Sequence, residues 1–253
     1  TILETRSPVA GILVGIAVGL AMGLVYGVIT VTMRAEQGIS GIGIFLFGLG
    51  ISDLLFQKKV GTPIPIRGFG DLHVPVLADI PKVGEMFFQH SVLVYVAFLL
   101  VPAVAFLLNR TTFGLNVRAV GENPAAADSL GVSVARVRYT TILLANGLAG
   151  LAGAVLAAEL GIFQQNLTNG QGFIAIALVY FGAWRPVGVM GGALLFGMVS
   201  ATVLQWKTLG LVSGAASSLT AMAPAVLTIL ALVVISRTVG QPSALTRPFD
   251  RGH

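Results

Sequence analysis

Long apolar runs separated by short polar breaks divide the chain. Seven stretches, at about residues 9–31, 39–56, 91–108, 139–158, 173–183, 189–206 and 219–235, are almost free of charge, and the segments between them hold most of the arginines, lysines and acids. A helix crosses the ~30 Å hydrocarbon layer with about 20 residues, each rising about 1.5 Å. The fifth stretch falls short of that unless residues 167–172 extend it. A short, broken or re-entrant helix is expected there, a form that survives at membrane depth only when buried in protein or lining a wet cavity. The pattern predicts an all-α, polytopic helical membrane protein, one transmembrane domain over residues 1–253 with about seven spans.

Within the first stretch, Gly11, Gly15, Gly19, Gly23 and Gly27 recur every fourth residue. Each step overshoots a full turn by about 40°, so the glycines form a smooth, slowly winding groove. Such spacing lets a neighbouring backbone approach closely. Packing within the chain is the reading taken; a dimer interface would use the same groove.

Composition agrees with the pattern. Of 253 residues, 55% are hydrophobic and only 10% charged, against about 25% charged in a soluble domain. The chain has no cysteine, which excludes disulfides and thiolate metal sites. The net charge of +5 lies in loops, so it orients the bundle and is no footprint for nucleic acid. Arg34, Arg110, Arg118, Arg136, Arg138, Arg185, Arg237, Arg247 and Arg251 fall on one side; Arg6, Lys58, Lys59, Arg67, Lys82 and Lys207 fall on the other. The richer side is expected to be cytoplasmic, with the C-terminal tail, residues 237–253. Residues 57–90, punctuated by Pro63, Pro65, Pro75 and Pro81, are expected to form a compact extracytoplasmic cap. The chain opens at Thr1 without a Met or a cleavable signal, and is read as a fragment.

The most polar run is GENPAAADSLGVSVARVR, residues 121–138. Asn123 suits an N-cap, Pro124 the first helical position, and Asp128 lies close enough to the start for the dipole to tolerate it. Gly131 should end the helix. Two turns cannot persist alone in water, since isolated helices below about 12 residues are marginal. A surface must support them. Ala126, Ala127 and Leu130 are expected to share a small apolar face. Spacing alone admits two roles, a connector resting on lipid headgroups or a knob for a cytoplasmic partner.

Residues 110–138, RTTFGLNVRAVGENPAAADSLGVSVARVR, resemble the cytoplasmic coupling loop of permease subunits in bacterial ABC importers of the ribose, nucleoside and branched-chain amino acid group. AADSLG, residues 126–131, is similar to a degenerate form of their Ala-Ala then Gly signature. LAGLAGAVLA at 148–157, GQGFIAIALVYFGAWRPVGVMGGALLFG at 170–197 and PSALTRP at 242–248 follow in order. With Trp184, Arg185 and Pro186 ahead of Gly191 and Gly192, the 170–197 block is most similar to the nucleoside and simple-sugar branch.

The resemblance implies a permease with about ten helices, three of them missing at the front. It implies a bacterial inner-membrane location and, as partners, a second permease subunit, similar or identical, an ABC ATPase with two nucleotide-binding domains, and an extracytoplasmic substrate-binding lipoprotein. This chain would hold no cofactor of its own; ATP and Mg would be bound by the ATPase, because no GxxxxGK[ST] run occurs here. The coupling loop would cover residues 109–138. Within it, Glu122, Asn123, Pro124, Ala126, Ala127, Asp128, Leu130 and Gly131 would couple to the ATPase.

An ion-gradient-driven carrier is the competing reading, and it would ordinarily bury acids at mid-membrane. Only Asp53 and Glu159 touch a span, each near its outer end. Backbone carbonyls can also bind sodium, which keeps the carrier open, as is a membrane scaffold. His73, His90 and His253 lie in loops or the tail. GISG at 38–41 mimics an intramembrane protease motif but lacks a histidine base near Ser40. Asn146 lies inside the fourth span, where interhelical bonding competes with lining a path. Gln165 and Asn169 belong to a polar cluster beside the short fifth segment. Phe173 and Tyr180 could stack on a sugar or nucleobase face, or anchor helix ends at the interface.

Overall fold

The computed structural model describes residues 7–66, 68–73, 89–211 and 240–250, and isolated positions between 220 and 229. Contacts gather the chain into two compact units, Thr1–Leu99 with Thr111–Asn169 and Ser243–His253, and Leu100–Arg110 with Gly170–Pro242. Among the described residues, five helical stretches are long and apolar enough to cross a membrane. The expected seventh stretch, residues 219–235, lies largely outside the described residues.

The first unit is built on two helices, α1 (Pro8–Gly27) and a later one, α6 (Val134–Leu160). Four of the stripe glycines meet α6 directly. A methyl added to Gly15 would lie 2.9 Å from the Gly150 carbonyl oxygen, to Gly23 2.7 Å from Asn146 Cβ, and to Gly27 2.8 Å from the Tyr139 ring. At Gly19 and Gly150 an added methyl would run into the facing backbone carbonyl itself. Gly11, on the same stripe, is buried. In lipid no hydrophobic force pulls apolar helices together, so backbone contact between small residues supplies the attraction.

Helix α1 does not end at Gly27 but widens into a π-helical turn, Val28–Thr32. Thr30 is 1% exposed, and its hydroxyl donates to the Tyr26 carbonyl at 2.8 Å. Thr32 and Tyr139 share a hydroxyl–hydroxyl bond of 2.5 Å, which pins the turn to α6. Helix α2 (Gln37–Lys59) follows a two-fold cap, in which Glu36 accepts from the amides of Ile39 at 2.6 Å and Gly38 at 2.8 Å.

At the far end of α2, Phe56 is buried and its ring meets Phe163 at 5.7 Å. The described part of the 57–90 segment is hooked onto the end of α6. Strand β1 (Ile64–Pro65) pairs antiparallel with a later strand β4 (Ile162–Phe163), and Ile66 donates to the Gly161 carbonyl. Strands β2 (Asp71–His73) and β3 (Gln89–Ser91) pair antiparallel and lead into α3 (Val92–Arg110), which carries Pro102 in its interior.

Residues 109–138 hold more helix than the sequence reading expected. After α3 come α4 (Thr112–Glu122) and α5 (Pro124–Ser129), and α6 already begins at Val134, so little of the segment is loop. Helix α6 begins five residues before the apolar stretch that starts at 139, and Arg136 and Arg138 lie on its first turns.

In the second unit, the short fifth stretch is α7 (Gln171–Phe181), 11 residues long. At about 1.5 Å per residue it reaches roughly half of the ~30 Å layer. Of residues 167–172 only Gln171 and Gly172 join the helix, since Asn169 and Gly170 have positive φ, and it does not lengthen into a span. The chain then reverses through Ala183 and Trp184, also at positive φ, into α8 (Pro186–Thr208). Gly182 and Gly188 bring the two backbones together so closely that a methyl on either would collide with the other's main chain, and Gly192 leaves room for the Phe181 ring.

Gly19→Val is expected to cost about 1–3 kcal/mol by overpacking the α1–α6 seam. Thermal unfolding of the detergent-solubilised protein checks this, and a midpoint equal to wild type would show that the seam is loose. Glu36 supplies a pH-dependent contribution. The Ile39 and Gly38 amides hold its carboxyl below the usual carboxylate range. Its stabilisation is therefore complete above the ordinary glutamate range and is lost as pH falls through the lowered value. Glu36→Gln should flatten the acid side of a plot of unfolding midpoint against pH.

Candidate functional site

The polar run around residue 123 is organised by its backbone bonds. Thr111 terminates α3 in extended conformation and caps α4, its hydroxyl accepting from Gly114 N at 3.2 Å. Helix α4 stops at Asn123, whose amide still bonds the Ala119 carbonyl at 2.9 Å. The same residue opens α5, its Oδ1 accepting from Ala126 N at 3.0 Å. One asparagine thus closes one helix and starts the next. Pro124, lacking an N–H and fixed near helical φ, occupies the first position of α5.

The other end of α5 closes with two crossed bonds, Val132 N to the Ala127 carbonyl at 3.0 Å and Gly131 N to the Asp128 carbonyl at 2.9 Å. Gly131 has φ +86°, the left-handed conformation that this closure requires. The six-residue helix is capped at both ends.

Its footing is apolar. Ala127 is 3% exposed and joins Val120 of α4 and Val134 of α6 in one buried cluster, with Val132, Val137 and Phe249 packed around it. The expected shared face of Ala126, Ala127 and Leu130 is therefore corrected. Successive helical residues turn by about 100°, so Ala127 points into the cluster while Ala126 and Leu130, four apart, face outward. Leu130 is 84% exposed. Ala126 and Glu122 are exposed and Pro124 and Asp128 half-buried. The result is an outward apolar knob on a base fixed by Ala127.

The tail reaches the same place. Ala244 N bonds the Gly121 carbonyl at 2.9 Å, the Ser243 hydroxyl donates to Glu122 Oε1 at 2.7 Å, and Arg34 pairs with Asp250 at 2.6 Å. Arg34, α5 and residues 243–250 thus share one end of the first unit. The sequence reading placed these residues in the tail, with PSALTRP in the resemblance, but did not join them to α5. A lone Phe249 in a polar tail was the available signal.

Other expected residues are dispersed. Asn146 faces the α1 seam beside Gly23, and its Nδ2 donates to the Ile142 carbonyl of its own helix at 2.9 Å. Gln165 and Asn169 are exposed in the turns that close the first unit. Phe173 and Tyr180 are exposed on α7 in the second unit, where the Tyr180 ring meets Trp184 edge-on at 5.1 Å. Ser40, of the protease-like motif, donates to the Glu36 carbonyl of its own helix at 2.6 Å. Glu159 accepts from the buried Ser91 hydroxyl. Asp53 Oδ1 is buried with no partner among the described residues. No group of three or more metal-ligating side chains forms among the described residues.

The family model described as branched-chain amino acid transport system / permease component matches residues 1–236. The chain is 36% identical over 231 residues to the guanosine ABC transporter permease protein NupQ of Bacillus subtilis, covering 88% of this chain and 71% of that protein. It is 35% identical over 221 residues to the nucleoside ABC transporter permease protein NupC of Lactococcus lactis, covering 86% and 70%. It is 38% identical over 186 residues to the putative glucose ABC transporter permease protein TsgC13 of Haloferax volcanii, covering 72% and 56%. No solved structure matches it. With its long apolar helices and a match over most of its length, the chain is a multi-pass helical membrane protein and belongs to the permease component family of branched-chain amino acid transport systems.

Proposed function

We propose that this chain is the membrane-spanning permease subunit of an ATP-driven importer in a bacterial inner membrane, forming half of the path for a nucleoside, with a simple sugar as the next candidate. The observation that carries the coupling role is the split of α5, in which Ala127 is buried against α4 and α6 while Leu130 stands 84% exposed. An apolar side chain presented so fully on a doubly capped base fits a groove on another protein. Motion of that groove would reach α6 through Val134. The names of the guanosine, nucleoside and glucose relatives support the substrate class. Phe173, Tyr180 and Trp184 offer aromatic faces of the kind that stack on bases and sugars.

The partners follow from this reading: a second permease subunit, similar or identical, an ATPase with two nucleotide-binding domains that binds ATP and Mg, and an extracytoplasmic binding lipoprotein. The basic residues orient α5 and the tail toward the cytoplasm, where such an ATPase would lie. A path fed by a binding protein should hold its cargo weakly, which agrees with few polar side chains in the spans.

Proteoliposomes holding the whole transporter, assayed with tritiated guanosine and with labelled glucose as competitor, test the function. Uptake should require ATP and survive collapse of the ion gradients; loss of uptake on collapse, with ATP constant, would favour a gradient-driven carrier. Leu130→Glu should reduce uptake about tenfold or more, because a carboxylate desolvated at an apolar interface costs more than ~1.4 kcal/mol. The variant should still insert, since Leu130 packs into nothing buried here. Wild-type uptake by Leu130→Glu rejects the coupling assignment.

A further inference from the structure

Residues 243–250 bond the last two residues of α4, and Phe249 packs on the buried cluster in which Ala127 of α5 sits. We propose that these residues are a strap that positions α5, binding it to α4 and to the α1–α2 turn, so that force applied at Leu130 moves the bundle instead of bending the peg. This rests on the coupling reading of α5 given above.

Three attachments of different kinds define the strap. The Ala244 amide bonds the Gly121 carbonyl at the last turn of α4, a group that would otherwise end that helix unpaired. The Ser243 hydroxyl holds Glu122 Oε1 one residue before the shared cap Asn123. Phe249 packs on the Val120, Ala127 and Val134 cluster, the contact by which α5 stands on α4 and α6. Asp250 then reaches Arg34, which lies at φ +57° just beyond the π-helical turn of α1. The ion pair is half-exposed, and such pairs contribute little alone. The ring and the backbone bond are the anchors, and the ion pair sets direction. Without the strap, α5 would keep both caps but lose one wall of its apolar footing. A six-residue helix has no reserve of its own to replace it.

The test uses the full-length permease in its complete transporter, with three variants: truncation after Pro242, Phe249→Ala and Phe249→Leu. Two quantities are read, amide hydrogen exchange across residues 119–132 and tritiated guanosine taken up per ATP hydrolysed. Truncation and Phe249→Ala should raise exchange at Ala127 and Val132 about tenfold or more, and lower uptake per ATP severalfold while ATP hydrolysis continues. Phe249→Leu, which keeps an apolar plug, should stay near wild type on both. A merely structural tail would reduce uptake and hydrolysis in step and leave their ratio unchanged; that result, or unchanged exchange, overturns the strap. Leu130→Glu serves as the reference. If it lowers the ratio and Phe249→Ala does not, the strap alone fails; if neither does, the coupling role of α5 fails with it.

Discussion

Apolar helices in a bilayer gain nothing by hiding from lipid, so their positions must be fixed by how closely their backbones fit. In this chain that fit is the glycine seam between α1 and α6, where at Gly19 and Gly150 the main chains leave no room for a methyl. Much of the first unit follows from it. The seam holds α6 along its length, and the first turn of α6 carries Val134, which forms the floor under α5. The Thr32 to Tyr139 bond ties the end of α1 to the same stretch, bringing Arg34 within reach of the tail. A packing contact in the apolar layer therefore determines where a six-residue helix can stand at its edge.

The short helix illustrates how capping and burial divide the work. Asn123 and Gly131 set its length, by closing the backbone at each end. Ala127 sets its orientation, because it alone of the outward trio expected from sequence is small enough and correctly phased to meet Val120 and Val134. Leu130 is then left facing out by geometry. A larger residue at position 127 would lift α5 from its base; a smaller one at 130 would leave the knob without a head.

Much of this was legible in the sequence where the signal is local. Proline after asparagine and glycine seven residues on from Pro124 bracket α5 to within one residue, and glycines four apart announce the seam. The short apolar run at 173–183 announced a helix too short to span. What stayed hidden involves choice of partner. Helical periodicity says which residues share a face, but it does not say which face meets protein, so Ala127 was grouped with Leu130. The charges of Arg136 and Arg138 masked the first turns of α6, since hydropathy measures suitability for lipid and not helix formation. The reversal at Ala183 and Trp184 needed left-handed backbone at residues that seldom adopt it, with no local cue. The packing of Phe249 on the cluster that holds Ala127 joins positions more than a hundred apart, and no neighbouring residue records such a contact.

The π-helical turn at Val28–Thr32 carries a consequence for how this end of the molecule is kept in phase. A π turn holds one residue more than the α turn it replaces, as a single insertion into a regular helix would produce. Each residue rotates an α-helix by about 100°. Were the same residues wound as plain α-helix, the extra residue would no longer be absorbed and would swing Arg34 roughly a quarter of a turn around the α1 axis and away from Asp250. The widened turn thus acts as a phase-setting spacer, fixing the azimuth at which a membrane helix hands its last side chains to the chain terminus.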